Sequence, residues 1–350
     1  MKESWLRQRA VVQTGPRRRC FSWLIGFAPF NLRAMSGKNV RNREGNYSRF
    51  SLAAVLILTL AGSCQAQSLG NHYVWGVEGV KAGFPPPLGL YLRNYTYYYT
   101  SNQLNDAGGN RLNLNFHLTA IADATRFSYV TPYQVVGGNY GMGLILPYVY
   151  TSATIGNTTQ SRFGLGDVYF EPIILGWRLP HCDILTTSGF FAPTGSFNPA
   201  NASSPGNGFW TGMYTLGVTW YPDNDKLWNV SVLNRLEFSS KQEQTQIQPG
   251  YGEGFEWGVA RSFLVGPHLN GPPDGVMDAG VAGYCSWQYT RTTGPDFPLH
   301  SQDVAAVGPE ISYIMPKANT LFSLRCEPEF EARARPQGTT LNLTITTKLW

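Results

Sequence analysis

The last thirty residues of the chain alternate between apolar and polar side chains with a period of two. Between Phe322 and Phe330 every second residue is apolar or nearly so, and charged residues such as Glu327 occupy the positions between them. Successive side chains of a β-strand point to opposite faces, so this segment predicts a strand with one apolar and one charged face. After the turn-forming residues 335–338 the alternation resumes and runs to Trp350. A C-terminal antiparallel hairpin that ends on an aromatic residue is typical of transmembrane β-barrels.

The same reading predicts β-strands along the rest of the chain from Leu88 onwards, with turn residues between them and no credible amphipathic helix. Residues 83–87, which contain three consecutive prolines, are expected to form an extended lead-in. Besides the terminal hairpin, the predicted strands cover residues 90–100, 112–133, 139–154, 164–178, 183–192, 211–221, 227–239, 253–264, 276–290 and 304–316. The total is about twelve, an even number as single-chain bacterial barrels require, with fourteen as the alternative.

Alternating strands also occur in soluble β-sandwiches and secreted lectin-like proteins. The predicted strands are longer than the usual five or six residues of globular sheets and match the 9 to 11 residues that cross a bilayer at a tilt. Aromatic residues cluster near predicted strand ends, at 97–99, 220–221 and 287–289, where interfacial girdles would lie. We therefore predict an all-β fold, a transmembrane antiparallel up-and-down β-barrel.

The N-terminal segment has the order of a signal peptide. A largely apolar run from Phe50 to Gly62 follows several arginines and precedes small residues, and we expect cleavage between Ala66 and Gln67. Residues 1–66 are thus assigned to an extension and signal peptide, with translation expected to start at Met35, and residues 67–350 to the barrel. A lipoprotein-like sequence at Cys64 is an alternative. No other apolar run approaches 18 residues, so no transmembrane helix is expected in the mature chain.

The charge balance argues against a nucleic-acid partner. The chain has 27 Lys and Arg against 22 Asp and Glu, but residues 1–66 hold 11 of the basic residues and only two acids. The remainder is mildly acidic and contains no clustered basic face of the kind that phosphate backbones require. Charged residues make up 14% of the chain, against about 25% in an average soluble domain. The cysteine spacing suggests neither a metal site nor a disulfide framework, and we expect no metal, no cofactor and no catalytic residue.

Charged and polar residues on one parity of the strands are expected to face the lumen. An Arg or Lys on the lipid face near the midplane costs about 2 to 4 kcal/mol, and Asp or Glu somewhat less. These side chains could form interior salt-bridge networks or contact a solute directly. The candidate lumen-lining residues are Asn113, Asn115, His117, Arg235, Glu237, Glu310, Arg325, Glu327, Glu329 and Arg333.

Several short motifs follow one another from about Pro86 to the C-terminus, in the segments 86–91, 94–98, 137–141, 146–147, 164–167, 193–195, 307–313, 329–333 and Gly338. In their order and spacing, these motifs resemble the MetA-pathway of phenol degradation family of outer-membrane proteins. Members of that family look like relatives of barrels that import hydrophobic compounds. The resemblance thus implies a location in the bacterial outer membrane and a role in transport, without identifying a cargo.

These observations lead to a functional hypothesis. We expect a channel that passes small, hydrophobic or aromatic compounds by passive diffusion, with the loops 196–208 and 266–275 gating or lining the pore. The expected partners are outer-membrane lipid, small hydrophobic solutes, and the barrel-assembly machinery, which would engage the C-terminal strand. Two other classes stay open: an outer-membrane enzyme that acts on lipids, for which His117 would be the histidine to test, and a structural or adhesive barrel.

Overall fold

The computed structural model describes residues 71–266, 273–295 and 301–350. The predicted signal peptide, the proposed start at Met35 and the cleavage site at Ala66 and Gln67 lie outside these residues. The described residues form the strands β1 (Gly89–Ser101), β2 (Phe116–Val135), β3 (Gly138–Ile155), β4 (Thr158–Leu165), β5 (Val168–Arg178), β6 (Cys182–Ala192), β7 (Thr211–Trp220), β8 (Trp228–Ser239), β9 (Gly252–Val265), β10 (Gly275–Gln288), β11 (Asp303–Met315), β12 (Thr320–Arg333) and β13 (Thr339–Lys348).

The strands close into an antiparallel barrel. β1 pairs with β2 on one side and with β13 on the other, and the strands between them pair with their neighbours in chain order. β3 pairs with β4 along its C-terminal half and with β5 along its N-terminal half, so β4 and β5 form one interrupted barrel strand. The barrel therefore has twelve strands around its circumference, which confirms the predicted fold class.

The barrel is polar inside and apolar outside. On β12, Arg325 and Glu327 point inward and are only 2% and 0% exposed, whereas Phe322 and Leu324 point outward and are exposed. Soluble proteins bury apolar residues and rarely leave large contiguous apolar patches in water. The arrangement suits a lipid environment and excludes the soluble sandwich. Among the residues that the structure describes, no helix is long and apolar enough to span a bilayer.

The two ends of the barrel differ in the length of their connections. The turns 136–137, 179–181 and 316–319 are short and lie at the end where β1 begins and β13 stops. The loops 102–115 and 193–210 at the opposite end are long. Outer-membrane barrels carry short turns on the periplasmic side and long loops outside the cell. We accordingly name the two ends periplasmic and extracellular.

Some aromatic residues assigned to interfacial girdles lie inside the barrel instead. Tyr97 and Tyr99 are buried in the lumen, and only Tyr98 between them faces outward. Tyr221 is also buried, and its hydroxyl donates to Asp183 at 2.7 Å. Strand parity decides this outcome, because adjacent residues of a strand cannot share a face.

A charged residue near the middle of β2 faces outward, against the expectation that charges face the lumen. Asp123 lies on the outer face and is exposed. Its carboxylate accepts hydrogen bonds from the Asn94 amide at 2.9 Å and the Thr96 hydroxyl at 3.4 Å, both on the neighbouring strand β1. These donors offset part of the cost of placing a carboxylate on this face.

A pair of substitutions on the outer face of β9 tests the membrane-spanning orientation. Val259, at mid-strand, and Val265, the last residue of the strand, are 39% and 37% exposed. Val259→Arg should lower the free energy of unfolding by about 2 to 4 kcal/mol, and the control Val265→Arg by only about 0 to 1 kcal/mol, because the cost of Arg on the lipid face falls towards the interface. Urea unfolding in phospholipid vesicles measures both values. Equal costs at the two positions would contradict the assigned membrane band.

Candidate functional site in the barrel lumen

Residues 71–87 run through the lumen from the extracellular to the periplasmic end, and we call them the luminal segment. His72 stacks on Phe191, near the extracellular end of β6, with ring centroids 4.6 Å apart. Pro85, at the other end of the segment, packs against Gly176, near the periplasmic end of β5. The chain then turns into β1, so the segment fills much of the interior that the barrel encloses.

At the extracellular end the luminal segment is held by His72. Its Nε2 lies 2.7 Å from Asp167 Oδ2, and its Nδ1 lies 3.0 Å from Thr211 Oγ1. Asp167, at the break between β4 and β5, also accepts the backbone N–H groups of Gly195 and Asn207 at 2.8 and 2.7 Å. One buried carboxylate thus joins the segment to the long loop 193–210.

Midway along the lumen the segment is held by Glu256 of β9. Its Oε1 accepts the backbone N–H groups of residues 76, 77 and 78, each at 3.0 Å, and its Oε2 accepts the Tyr73 hydroxyl at 2.7 Å. The Arg235 guanidinium lies 3.4 Å from Glu256 Oε2 and 4.0 Å above the Tyr73 ring. Successive N–H groups that converge on one anionic oxygen are among the stronger hydrogen-bond arrangements in proteins.

Further ion pairs line the periplasmic half of the segment. Glu78 pairs with Arg93 at 2.8 Å. Glu310 accepts the Val80 backbone N–H at 2.8 Å and pairs with Arg325, also at 2.8 Å. Lys81 pairs with Asp278 at 2.9 Å. Charges buried in this way need partners to offset their desolvation, and here many of the partners come from the luminal segment.

Inward-facing glycines allow the segment to pass close to the barrel wall. A Cβ atom on Gly258 would lie 2.6 Å from the Val80 nitrogen, and one on Gly217 would lie 2.9 Å from the Gly83 Cα. Sequence reasoning missed the luminal segment and recognised only the lead-in 83–87. The sequence did carry a signal for this segment, namely glycines at inward-facing positions of long strands. A glycine inside a strand often marks a place where another stretch of backbone comes close.

Six of the predicted lumen residues lie inside the barrel. Glu237 accepts the Tyr73 backbone N–H at 2.7 Å, and Glu329 accepts the hydroxyls of Tyr99 and Tyr284 at 2.9 and 3.0 Å. Their positions place them in networks with one another and with the luminal segment. The six buried residues are Arg235, Glu237, Glu310, Arg325, Glu327 and Glu329.

The prediction is wrong for the other four residues. Asn113 and Asn115 lie in the loop between β1 and β2, because the chain at Leu112 bonds back to the Leu104 carbonyl and β2 begins only at residue 116. His117 lies on the exposed outer face, where Asn102 and Thr119 contact its ring nitrogens.

Arg333 is exposed because a β-bulge interrupts the alternation of β12. Ala305 and Ala306 of β11 are adjacent, but they pair with Glu331 and Glu329, which leaves Phe330 as the extra residue. A one-residue shift moves every following side chain to the other face. Ala332 accordingly points inward and Arg333 outward.

A cavity of about 690 Å³ lies beside the luminal segment in the periplasmic half of the barrel. Its walls combine apolar side chains, including Phe84, Leu185, Leu233 and Ile314, with charged ones. A second cavity of about 340 Å³ adjoins it at the prolines 85–87. The larger volume falls within the range of about 300 to 1,000 Å³ that is usual for small-molecule sites.

Glu256→Gln tests whether this carboxylate holds the luminal segment. The substitution keeps the shape but removes the charge that strengthens the three N–H bonds, so hydrogen exchange at residues 76–78 should accelerate about tenfold, the equivalent of roughly 1.4 kcal/mol. Hydrogen-exchange mass spectrometry measures this rate. Glu253→Gln is the matched control, because Glu253 lies on the same strand but on the outer parity. Unchanged exchange in the Glu256 variant would show that other contacts hold the segment.

One solved structure agrees with this architecture. The COG4313 outer membrane channel from Pseudomonas putida F1 is similar in structure, with a TM-score of 0.64 and 14% identity over 79% of this chain and 99% of that one. The β-domain of the Bordetella autotransporter BrkA gives a TM-score of 0.45 at 12% identity, over 75% and 99% of the two chains. A search of curated proteins returned no match. The family model described as "Putative MetA-pathway of phenol degradation" matches residues 101–345, and the chain belongs to this family of bacterial outer-membrane β-barrel proteins.

Proposed function

We propose that the protein is an outer-membrane channel that passes small apolar or aromatic molecules by passive diffusion. The observation that carries the proposal is the cavity of about 690 Å³ with largely apolar walls inside a closed membrane barrel. The structural similarity to a protein described as an outer membrane channel supports the same class of function. The barrel-assembly machinery stays a predicted partner of strand β13.

Transport through this lumen requires movement of the luminal segment or of the extracellular loops. In the extracellular half, Trp75 packs with Tyr284 and Val304 in one apolar cluster, and Val77 packs against Tyr97 and Phe116 in another. These clusters occupy part of the interior between the extracellular end and the cavity, so a solute would have to displace them. The bonds that hold the segment are hydrogen bonds and ion pairs, which can open and re-form as a solute passes.

The structure offers little support for the enzyme hypothesis. His117 contacts Asn102 and Thr119 on the outer face, and neither is a serine nucleophile. His72 lies between Asp167 and Thr211, an order that resembles a catalytic triad, but Thr211 is 0% exposed and no lipid could reach it. A hydrolase needs a nucleophile that its substrate can approach.

Filling the cavity tests the channel function. Leu185 lines the cavity on β6, and Leu216 is exposed on the outer face of the neighbouring strand β7. Leu185→Trp should lower the initial uptake of radiolabelled benzyl alcohol by cells by roughly half or more, because the larger ring occupies the binding volume. Leu216→Trp makes the same exchange on the lipid face and should leave uptake unchanged.

The assay compares cells that express each variant with cells that lack the protein, after gel mobility with and without boiling has shown that each barrel is folded. Uptake that is the same with and without the protein would contradict the channel function and favour a structural or adhesive barrel. Equal loss in the two variants would mean that the cavity is not on the path.

A further inference from the structure

The cavity in the periplasmic half carries more positive than negative charge. Eight basic and five acidic side chains line it. The basic residues are Lys81, Arg93, Arg126, Arg178, Lys226, Arg235, Arg325 and Lys348, and the acidic ones are Glu78, Glu171, Asp183, Asp278 and Glu310. This excess contrasts with the acidic balance of residues 67–350 as a whole, so the barrel concentrates its basic side chains at one place.

Ion pairing accounts for only part of this set. Glu78, Glu171, Asp278 and Glu310 each pair with one lining cation, and Arg235 pairs with Glu256 outside the lining. Within the described ranges, Arg178, Lys226 and Lys348 form no ion pair with a carboxylate. The remaining acid, Asp183, accepts the Tyr221 hydroxyl at 2.7 Å.

The unpaired cations lie near the periplasmic mouth. Arg178 donates to the Pro85 carbonyl at 2.8 Å and lies 4.7 Å from the centre of the Phe84 ring. Lys348 is half-buried at the end of β13 and lines both cavities. A local excess of one sign of charge beside low-dielectric walls attracts ligands of the opposite charge.

Several residues that line the cavity carry buried hydrogen-bonding atoms without a partner in the described part of the chain. Arg325 is 2% exposed and lines the cavity, and its Nε and Nη1 atoms have no hydrogen-bond partner within the part of the chain that the structure describes. The other lining residues with unpartnered atoms are Tyr91, Arg93, Thr187 and Thr346. Each of these atoms can donate a hydrogen bond, and none is a carboxylate oxygen.

We propose that this cavity binds small aromatic carboxylates, with the ring against the apolar wall and the carboxylate towards Arg178 and Lys348. The proposal rests on the proposed channel function and names its substrate class. Phe84, Leu185, Leu233 and Ile314 supply apolar surface that a simple inorganic anion would not use. A carboxylate offers two oxygens in the planar geometry that matches a guanidinium group.

Binding to the purified protein in detergent tests the proposal without any transport. Isothermal titration at about 0.01 M ionic strength, where charges are weakly screened, compares benzoate, the uncharged benzyl alcohol and acetate, which lacks the ring. Benzoate should bind at least about tenfold more tightly than either. Equal affinity for benzoate and benzyl alcohol would overturn the charge preference, and equal affinity for benzoate and acetate would overturn the role of the apolar wall.

Lys348→Gln and Lys317→Gln form a matched pair for the site. Lys317 lies at the same end of the barrel but is 83% exposed and pairs with Asp274 at 2.7 Å, and that bond raises the pKa of its ammonium group, so it is charged at neutral pH. Lys348→Gln should weaken benzoate binding about fivefold and leave benzyl alcohol unaffected, whereas Lys317→Gln should change neither. If both variants weakened benzoate binding equally, the binding would depend on the overall charge of the periplasmic rim, and the proposed site would be wrong.

The two proposals fail in different ways. If benzoate binds as expected but uptake is the same in cells with and without the protein, the binding site is supported and the channel function is contradicted. If cavity filling blocks uptake but benzoate binds no better than benzyl alcohol, the channel stands and the carboxylate preference falls. Circular dichroism and gel mobility of each variant exclude misfolding as the cause of lost binding.

Discussion

The structure depends on the backbone hydrogen bonds that join β1 to β13. A bilayer offers no water to satisfy N–H and C=O groups, so a sheet that spans it must leave no open edge. The pairing of residues 91–100 with residues 339–348 removes that edge and makes the barrel a closed surface. Closure also separates two environments, and the apolar parity of most strands then faces lipid while the polar parity faces an enclosed interior.

Enclosure creates a need for partners inside the barrel. Charged groups in a confined interior lose solvation and must be matched by other charges or hydrogen bonds. The luminal segment supplies many of these partners. Glu78 forms an ion pair with Arg93, and Lys81 forms one with Asp278. Three backbone N–H groups of the segment donate hydrogen bonds to Glu256. The segment is therefore a structural part of the interior as well as an obstacle in it, and any opening of the lumen must break some of these bonds.

The lumen is divided along its length. Apolar clusters around Trp75 and Tyr97 lie in the extracellular half, while the periplasmic half contains a cavity with unpaired basic residues at its mouth. This division suits a solute that has an apolar ring and an acidic group. The substrate class that we propose follows from the basic residues that form no ion pair, as well as from the apolar surface of the cavity.

At the candidate site, the sequence predicted the positions of some residues and failed for others. The alternation around Arg235, Glu237, Arg325 and Glu327 placed these side chains on the inward parity, because a charge on the lipid face is costly. The same reasoning failed at Arg333, where the bulge at Phe330 reverses the parity, and at Asn113 and Asn115, where the chain leaves the sheet before the alternation ends. The alternation within one strand does not show where its pairing with the next strand shifts by a residue or ends, because that depends on the partner strand.

By itself the sequence determined the fold class, the approximate strands and the side of the sheet on which most charges lie, because period-two patterning is a local property of each strand. The tertiary structure alone decided that residues 71–87 occupy the lumen, since this segment has no periodic pattern and its partners lie as far away in the chain as Glu256 and Glu310. It also decided which cations remain unpaired at the cavity. Pairing across a closed barrel is set by register and closure, and these emerge only when all the strands are in place.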